Sequence, residues 1–167
     1  YMRGSTLVLW CALLGIALAA SCDDQKASDV ATALANRLSD NLDFEDGETE
    51  EGAPPPENDG DPAYPQISSF DAPASLALGE AFEVSLNSES VPDDLSGAVV
   101  HVTSAESHIV VTASFNALEM RLAISGRLRE DDQLAGEDFV VRMAMRDAEG
   151  AVGNYVEWPL NVTGASD

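Results

Sequence analysis

Two cysteines, two histidines and an excess of carboxylates are the groups in this chain with chemistry to offer. Nucleophilic catalysis needs a Ser, Cys or Thr beside an activating base. Cys11 and Cys22 both lie near the start, far along the chain from His101 and His108. The two histidines stand in neighbouring alternating stretches. They are placed either to meet across a hairpin and share a zinc ion with a carboxylate, or to sit as separate, partly exposed side chains. The calcium candidates are Glu130, Asp131 and Asp132, joined by Asp147 or Glu149 from the turn Asp147-Ala148-Glu149-Gly150. Calcium takes six to eight oxygens, of which one domain end supplies about four. Asn58-Asp59-Gly60-Asp61 lacks the spacing of an EF-hand loop. Glycosidases use paired carboxylates when an apolar pocket raises one of them, but these clusters fall on loops where water keeps them ionised. No glycine-rich phosphate loop is present. No catalytic function is expected, and no cofactor beyond the candidate calcium. Arg142 and Arg146 share one outward face, with Glu157 across the last hairpin. That arrangement reads as a cross-strand ion pair or as a face for an acidic partner.

The amino-terminal segment addresses the chain. Arg3 precedes an apolar run from Leu7 to Ala20, small residues follow, and Asp23-Asp24 begins a different composition. This is the pattern of a secretory signal peptide. A membrane span needs about 20 apolar residues, and Thr6–Ser21, diluted by Gly15 and several alanines, falls short of that. Translation is expected to start at Met2. The end of the run, Leu18-Ala19-Ala20-Ser21-Cys22, resembles the lipobox of bacterial lipoproteins, with Ala19 where that family prefers Leu. The resemblance implies that residues 1–21 are removed as a lipoprotein signal peptide. It also implies that the Cys22 sulfur carries a diacylglyceryl group and that the partner at this end is a membrane. The alternative is an ordinary cleaved signal with a coincidental cysteine. With Cys11 discarded, Cys22 stands alone, and acylation removes an otherwise unpaired thiol. Two or more acyl chains hold a protein firmly. The expected location is the bacterial cell envelope, exported and lipid-anchored. Asp23 resembles an inner-membrane retention signal of some lineages, which leaves inner versus outer membrane open.

After Cys22 there are thirty acidic residues and seven basic ones, a net charge of −23. A field of that sign repels nucleic acid, whose binding needs basic patches, so no nucleic-acid partner is expected. Residues 22–65 read as an acidic, Pro- and Gly-containing linker. Six of the ten residues from Asp43 to Gly52 are acidic, and Pro54-Pro55-Pro56 follows. Like charge and proline extend such a chain, and it has little apolar surface to bury. Within it, Val30, Leu34 and Leu38 recur at helical spacing beside Ala27, Ala31 and Ala35. That predicts a short helix over 28–39, started by Ser28 or Asp29, transient alone or docked on a partner.

Residues 66–163 change to period two. Phe82, Val84 and Leu86 alternate with polar residues, as do Ile109, Val111, Ala113 and Phe115. Leu118, Met120, Leu122 and Ile124 follow the same pattern, then Phe139, Val141, Met143 and Met145, and then Val156, Trp158, Leu160 and Val162. Alternation gives each strand one buried and one wet face. Turn residues separate the runs at short spacing, which predicts an all-β antiparallel sandwich of about seven strands with a short tail at 164–167. Pro159 requires its strand to be an edge or bulged.

Gly136-Glu137-Asp138-Phe139-Val140-Val141-Arg142-Met143-Ala144-Met145-Arg146-Asp147-Ala148-Glu149-Gly150 resembles the G-x-[YF]-x-V-x-V-x-D-x-x-G signature of bacterial immunoglobulin-like domains. Ile67 to Pro73 and Leu78 to Phe82 are similar to their first two strands. The resemblance implies a single immunoglobulin-like β-sandwich. Phe139 replaces the usual Tyr, so a tyrosine-corner hydroxyl bond is not expected. Phe82, Leu122, Phe139, Val141 and Trp158 are the expected core, with Trp158 as its anchor. The expected role is a lipid-anchored envelope protein that presents a non-catalytic binding or structural module on an acidic tether, with protein or glycan as ligand. The alternatives are a calcium-dependent adhesion or assembly module, and an accessory subunit of an envelope complex docked through the Val30–Leu38 helix.

Overall fold

The computed structural model describes residues 6–89 and 94–165, with side chains from Asp24 onward. One helix, α1 (Thr6–Asn41), leads into strands β1 (Leu42–Phe44), β2 (Gly47–Glu51), β3 (Ser69–Asp71), β4 (Ser75–Ala77), β5 (Ala81–Asn87) and β6 (Leu95–Val102). These are followed by β7 (Ser107–Thr112), β8 (Phe115–Asn116), β9 (Arg121–Leu128), β10 (Asp138–Asp147) and β11 (Val156–Thr163).

The alternating runs pair as their periodicity requires. One sheet runs β3-β5-β9, and β8 and β1 share the far edge of β9, at its start and at its end respectively. The other sheet runs β2-β7-β6-β10-β11-β4. All pairings are antiparallel except β4 against β11. Without β1 and β2, and counting β3 and β4 as one opening strand, the first sheet holds the first, second, sixth and fifth strands of the sandwich in turn. The opening strand then crosses over as β4 to lie parallel to the last strand. This is an immunoglobulin-like β-sandwich, as the alternation and the signature led one to expect. Of the eleven strands, β1 and β2 come from the amino-terminal segment and β3 and β4 are one opening strand split between the sheets, which leaves eight where about seven were expected.

The inner faces meet over Val84, Leu86, Leu122, Ile124, Val141, Met143 and Leu160, all essentially inaccessible. Trp158 is 1% exposed and donates its indole N–H to the Pro73 carbonyl at 2.7 Å. Phe82 lies 5.8 Å from it, centroid to centroid, and meets Phe44 edge-on at 5.3 Å. Of the expected core, Phe82, Leu122, Val141 and Trp158 are buried, while Phe139 is half-buried at the margin. Pro159 fits because β4 pairs with β11 only from Asn161 onward. The Asn161 N–H points to that side, toward the Ala74 carbonyl. Pro159, two residues earlier, therefore lacks its N–H where the edge is open.

Two expectations fail for identifiable reasons. The run expected from Leu118 starts only at Arg121. The Asn116 side-chain oxygen accepts the N–H groups of Leu118 and Glu119, and Met120 takes a left-handed φ of 53°. The chain turns there, and Leu118 is 98% exposed.

The larger correction concerns residues 22–65, expected as a disordered linker. α1 runs past the expected 28–39, and Ala35 and Leu38 enter the core. Leu42 and Phe44 follow them inside as β1 crosses to β9. After a tight turn, β2 pairs with β7 in the other sheet. The β1–β2 hairpin thus closes one side of the sandwich. Three apolar residues at spacings of four and two, Leu38, Leu42 and Phe44, outweigh the charge around them. The carboxylates can stay in water, since every β2 residue except Gly47 is exposed.

Candidate functional site

The two poles of the sandwich differ. At one, α1 docks beside the β6–β7 and β9–β10 connections. Asn36 accepts the Glu106 N–H at 2.7 Å, and Ser39 meets Ser107 at 3.3 Å between hydroxyls. Arg37 pairs with Asp131 at 2.9 Å, and Asn41 accepts the Arg129 N–H through its carbonyl. The carboxyl end of β11 is at the same pole. The opposite pole carries the ends of β5 and β10, the β8–β9 turn with Leu118, and the β10–β11 hairpin. In an immunoglobulin-like sandwich, loops gathered at one end are the usual binding surface.

The outer face of the six-stranded sheet is covered by a strap, residues 53–67. Leaving β2, it crosses diagonally to the β10–β11 hairpin. The Tyr155 hydroxyl donates to the Pro55 carbonyl at 3.0 Å, and the Tyr155 N–H donates to Glu57 at 2.9 Å. Asn58 donates its side-chain amide to the Val152 carbonyl at 2.7 Å. Ile67 and Asn154 exchange two hydrogen bonds. Gly153 is required beneath the strap, because a Cβ there would fall 2.0 Å from the Pro65 oxygen. Val99, Ala144 and Val152 form a small second core below Tyr155.

A polar row crosses this face at one register: Glu50 on β2, His108 on β7, Arg142 on β10 opposite His101 on β6, and Glu157 on β11. His108 is buried. Its Nδ1 bonds the Gly52 carbonyl at 3.2 Å, and its Nε2 lies 3.5 Å from Glu50. His101 bonds the Ser107 carbonyl at 3.1 Å. Burial holds His101 below the usual imidazole range; the carbonyl opposes this, and Arg142 and His108 add to it. Arg142 stacks 4.6 Å over the Tyr155 ring and pairs with Glu57 at 3.4 Å. The expected partner Glu157 lies opposite it in register, but the ion pair of Arg142 is with Glu57 of the strap. Burial, reinforced by Glu57 and opposed by Arg142, pushes the Tyr155 phenol up to about 12.

Beside the strap lies a cleft of about 530 Å³ lined by Asp46, Glu48, Glu50, Val110, Thr112 and Arg146. Its acidic wall is β2. The Arg146 guanidinium makes no hydrogen bond or ion pair among the described residues.

The expected calcium set is not assembled. Glu130, Asp131 and Asp132 precede β10, and Asp147 and Glu149 follow it, so the strand separates them by roughly 30 Å. Asp131 caps a short 3-10 turn and binds Arg37. That bond, with the Gln133 N–H, holds its carboxyl below the usual range. Asp147 accepts the N–H groups of Glu149 and Ala151 and so builds its own turn. Among the described residues no group of three or more His, Cys, Asp or Glu is placed to hold a metal ion. The zinc alternative finds its two histidines on adjacent strands with Glu50 beside His108, but among the described residues these do not form a metal-holding group. Cys22 and the lipobox side chains lie outside the described residues, and no described helix is long and apolar enough to cross a membrane. Sequence reasoning missed the strap and β2, whose few apolar residues follow no strand or helix period.

No protein-family model matches the chain, and no curated protein matches it. Among solved structures, it is similar to the PKD domain of an M14-like peptidase from a Thermoplasmatales archaeon. Identity is 11% and the TM-score 0.42, over 60% of this chain and 96% of that one. It is also similar to the SrpA adhesin of Streptococcus sanguinis at 15% identity and a TM-score of 0.36, over 62% of this chain and 57% of that one.

Proposed function

We propose that this chain is a non-catalytic immunoglobulin-like binding module of a bacterial cell envelope, held to a membrane by acyl chains on Cys22. The observation that carries the reading is the polarity of the sandwich. The helix that leads back to Cys22 docks at one pole, and the loop-bearing ends lie at the other. From Cys22 to Asn41 an α-helix spans roughly 30 Å, so α1 serves as a spacer and replaces the long tether expected from composition. Its Ala35–Leu38 face is spent on the chain's own core, which weighs against a docking helix for a separate complex. Protein or glycan remains the ligand class.

The test is Cys22→Ser in the native host, with membrane fractionation and mass spectrometry of the mature amino terminus. The reading expects the wild type in the membrane fraction with a diacylglyceryl mass on Cys22, and the variant released. An unmodified thiol, or membrane retention of the variant, overturns the anchoring.

A further inference from the structure

Strand edges are where a sandwich can take on another chain. Four of the edge strands, β1, β3, β4 and β8, are three residues long or shorter. β2 is different. It is five residues long, pairs with β7 without a register shift from Gly47 to Glu51, and contains no proline. Its hydrogen bonding can be read from its ends. Thr112 donates to the Asp46 carbonyl, and the Gly52 N–H donates to the Glu106 carbonyl. In an antiparallel ladder, residues at even positions here, 46 to 52, therefore face β7, while Gly47, Thr49 and Glu51 turn their N–H and C=O groups outward. Among the described residues no strand lies beyond them. The usual guards of an edge are shortness, bulges, proline and charge, and of these β2 has only charge.

What β2 has is a single sign of charge. Glu48 and Glu50 stand on the outer face and Glu51 on the other, all exposed, with Asp46 at the turn. A second copy of β2 would set carboxylate against carboxylate, which is destabilising. A strand with alternating lysine or arginine would match both the ladder and the charge, and its outer side chains would lie along the cleft walled by Asp46, Glu48 and Glu50.

We propose that the free edge of β2 is a docking surface for a cationic extended segment of a partner protein, which adds as a seventh strand to the six-stranded sheet. This rests on the reading of the chain as a binding module and is independent of its anchoring.

The test uses the full chain and a synthetic heptapeptide of alternating valine and lysine. The control is the same peptide with alternate backbone nitrogens methylated, so that charge is kept while strand pairing is lost. Fluorescence anisotropy reads affinity, and amide shifts read location. The proposal expects saturable binding, shifts centred on Gly47, Thr49 and Glu51, and at least about tenfold weaker binding of the methylated peptide. Glu48→Lys with Glu51→Lys should weaken binding by a similar factor. Thr49→Pro removes only an outward N–H and should abolish binding with an unchanged circular dichroism spectrum. Equal binding of the methylated peptide, shifts elsewhere, or no binding overturns the proposal. If Thr49→Pro does not fold, the methylated peptide still decides. Membrane attachment does not enter any arm, so failure here leaves the Cys22 test unaffected.

Discussion

Trp158 shows how much a single residue contributes to this body. Its ring is 1% exposed, its N–H is satisfied by Pro73, and Phe82 packs beside it. Trp158→Ala should lower stability by about 3–5 kcal/mol, measured by urea unfolding; a change under about 1 kcal/mol would remove it as anchor. Two titratable residues make stability sensitive to acid. His101 is held low by burial, so the unfolded chain takes up its proton first as pH falls below 6.5. The contribution from a neutral His101 is complete above that value and declines below it. Asp131 is also held low, by Arg37. Its contribution is present above the unfolded value of 3.8 and is lost as pH falls through the folded one. Thermal melts of His101→Gln and Asp131→Asn against pH should flatten the upper and lower acid limbs respectively. Unchanged limbs would contradict these assignments. Trp158, Phe82 and Val141 were legible because each sits on the apolar phase of an alternating run. The Arg37–Asp131 pair was not, since its partners are far apart in sequence and only docking of α1 brings them together.

At the scale of elements, β1 and β2 separate this account from one based on composition. Low hydrophobicity and high charge over 22–65 predicted disorder, and an average over that window hides its apolar members. Leu38, Leu42 and Phe44 are enough because a preformed core receives them. Their neighbours need only one wet side, which an edge hairpin provides. Phe44→Ala should therefore cost about 3–5 kcal/mol, as a core substitution does. A flexible tether would register almost nothing in the same urea titration. Gly126 gives an independent check, since a Cβ there would lie 2.8 Å from Phe82 and 2.9 Å from the Asp43 oxygen. Gly126→Ala should destabilise β1 pairing, seen as faster amide exchange at Glu45, whose N–H bonds the Ser125 carbonyl. The strap was illegible for a related reason. Polyproline makes no ladder, so it leaves no periodicity, and the bonds that fix the strap, from Tyr155, Asn58, Glu57 and Asn154, join residues far apart in sequence.

At the scale of the molecule, sequence alternation carried the sandwich, while the segment between it and the amino-terminal helix was misread as a linker. That segment decides how the module is presented. A linker of 44 residues would let the sandwich tumble; a helix and a hairpin built into its sheets fix α1 at one pole and leave the loop-bearing ends at the other. The most direct measurement is native-state hydrogen exchange on the full chain, followed residue by residue through 38–52. Integration predicts that the amides of Glu45 and Gly52, bonded to Ser125 and Glu106, exchange as slowly as edge positions of β7 and β9. Exchange across 42–52 at the rate of an unstructured peptide, with the sandwich itself still protected, would contradict it.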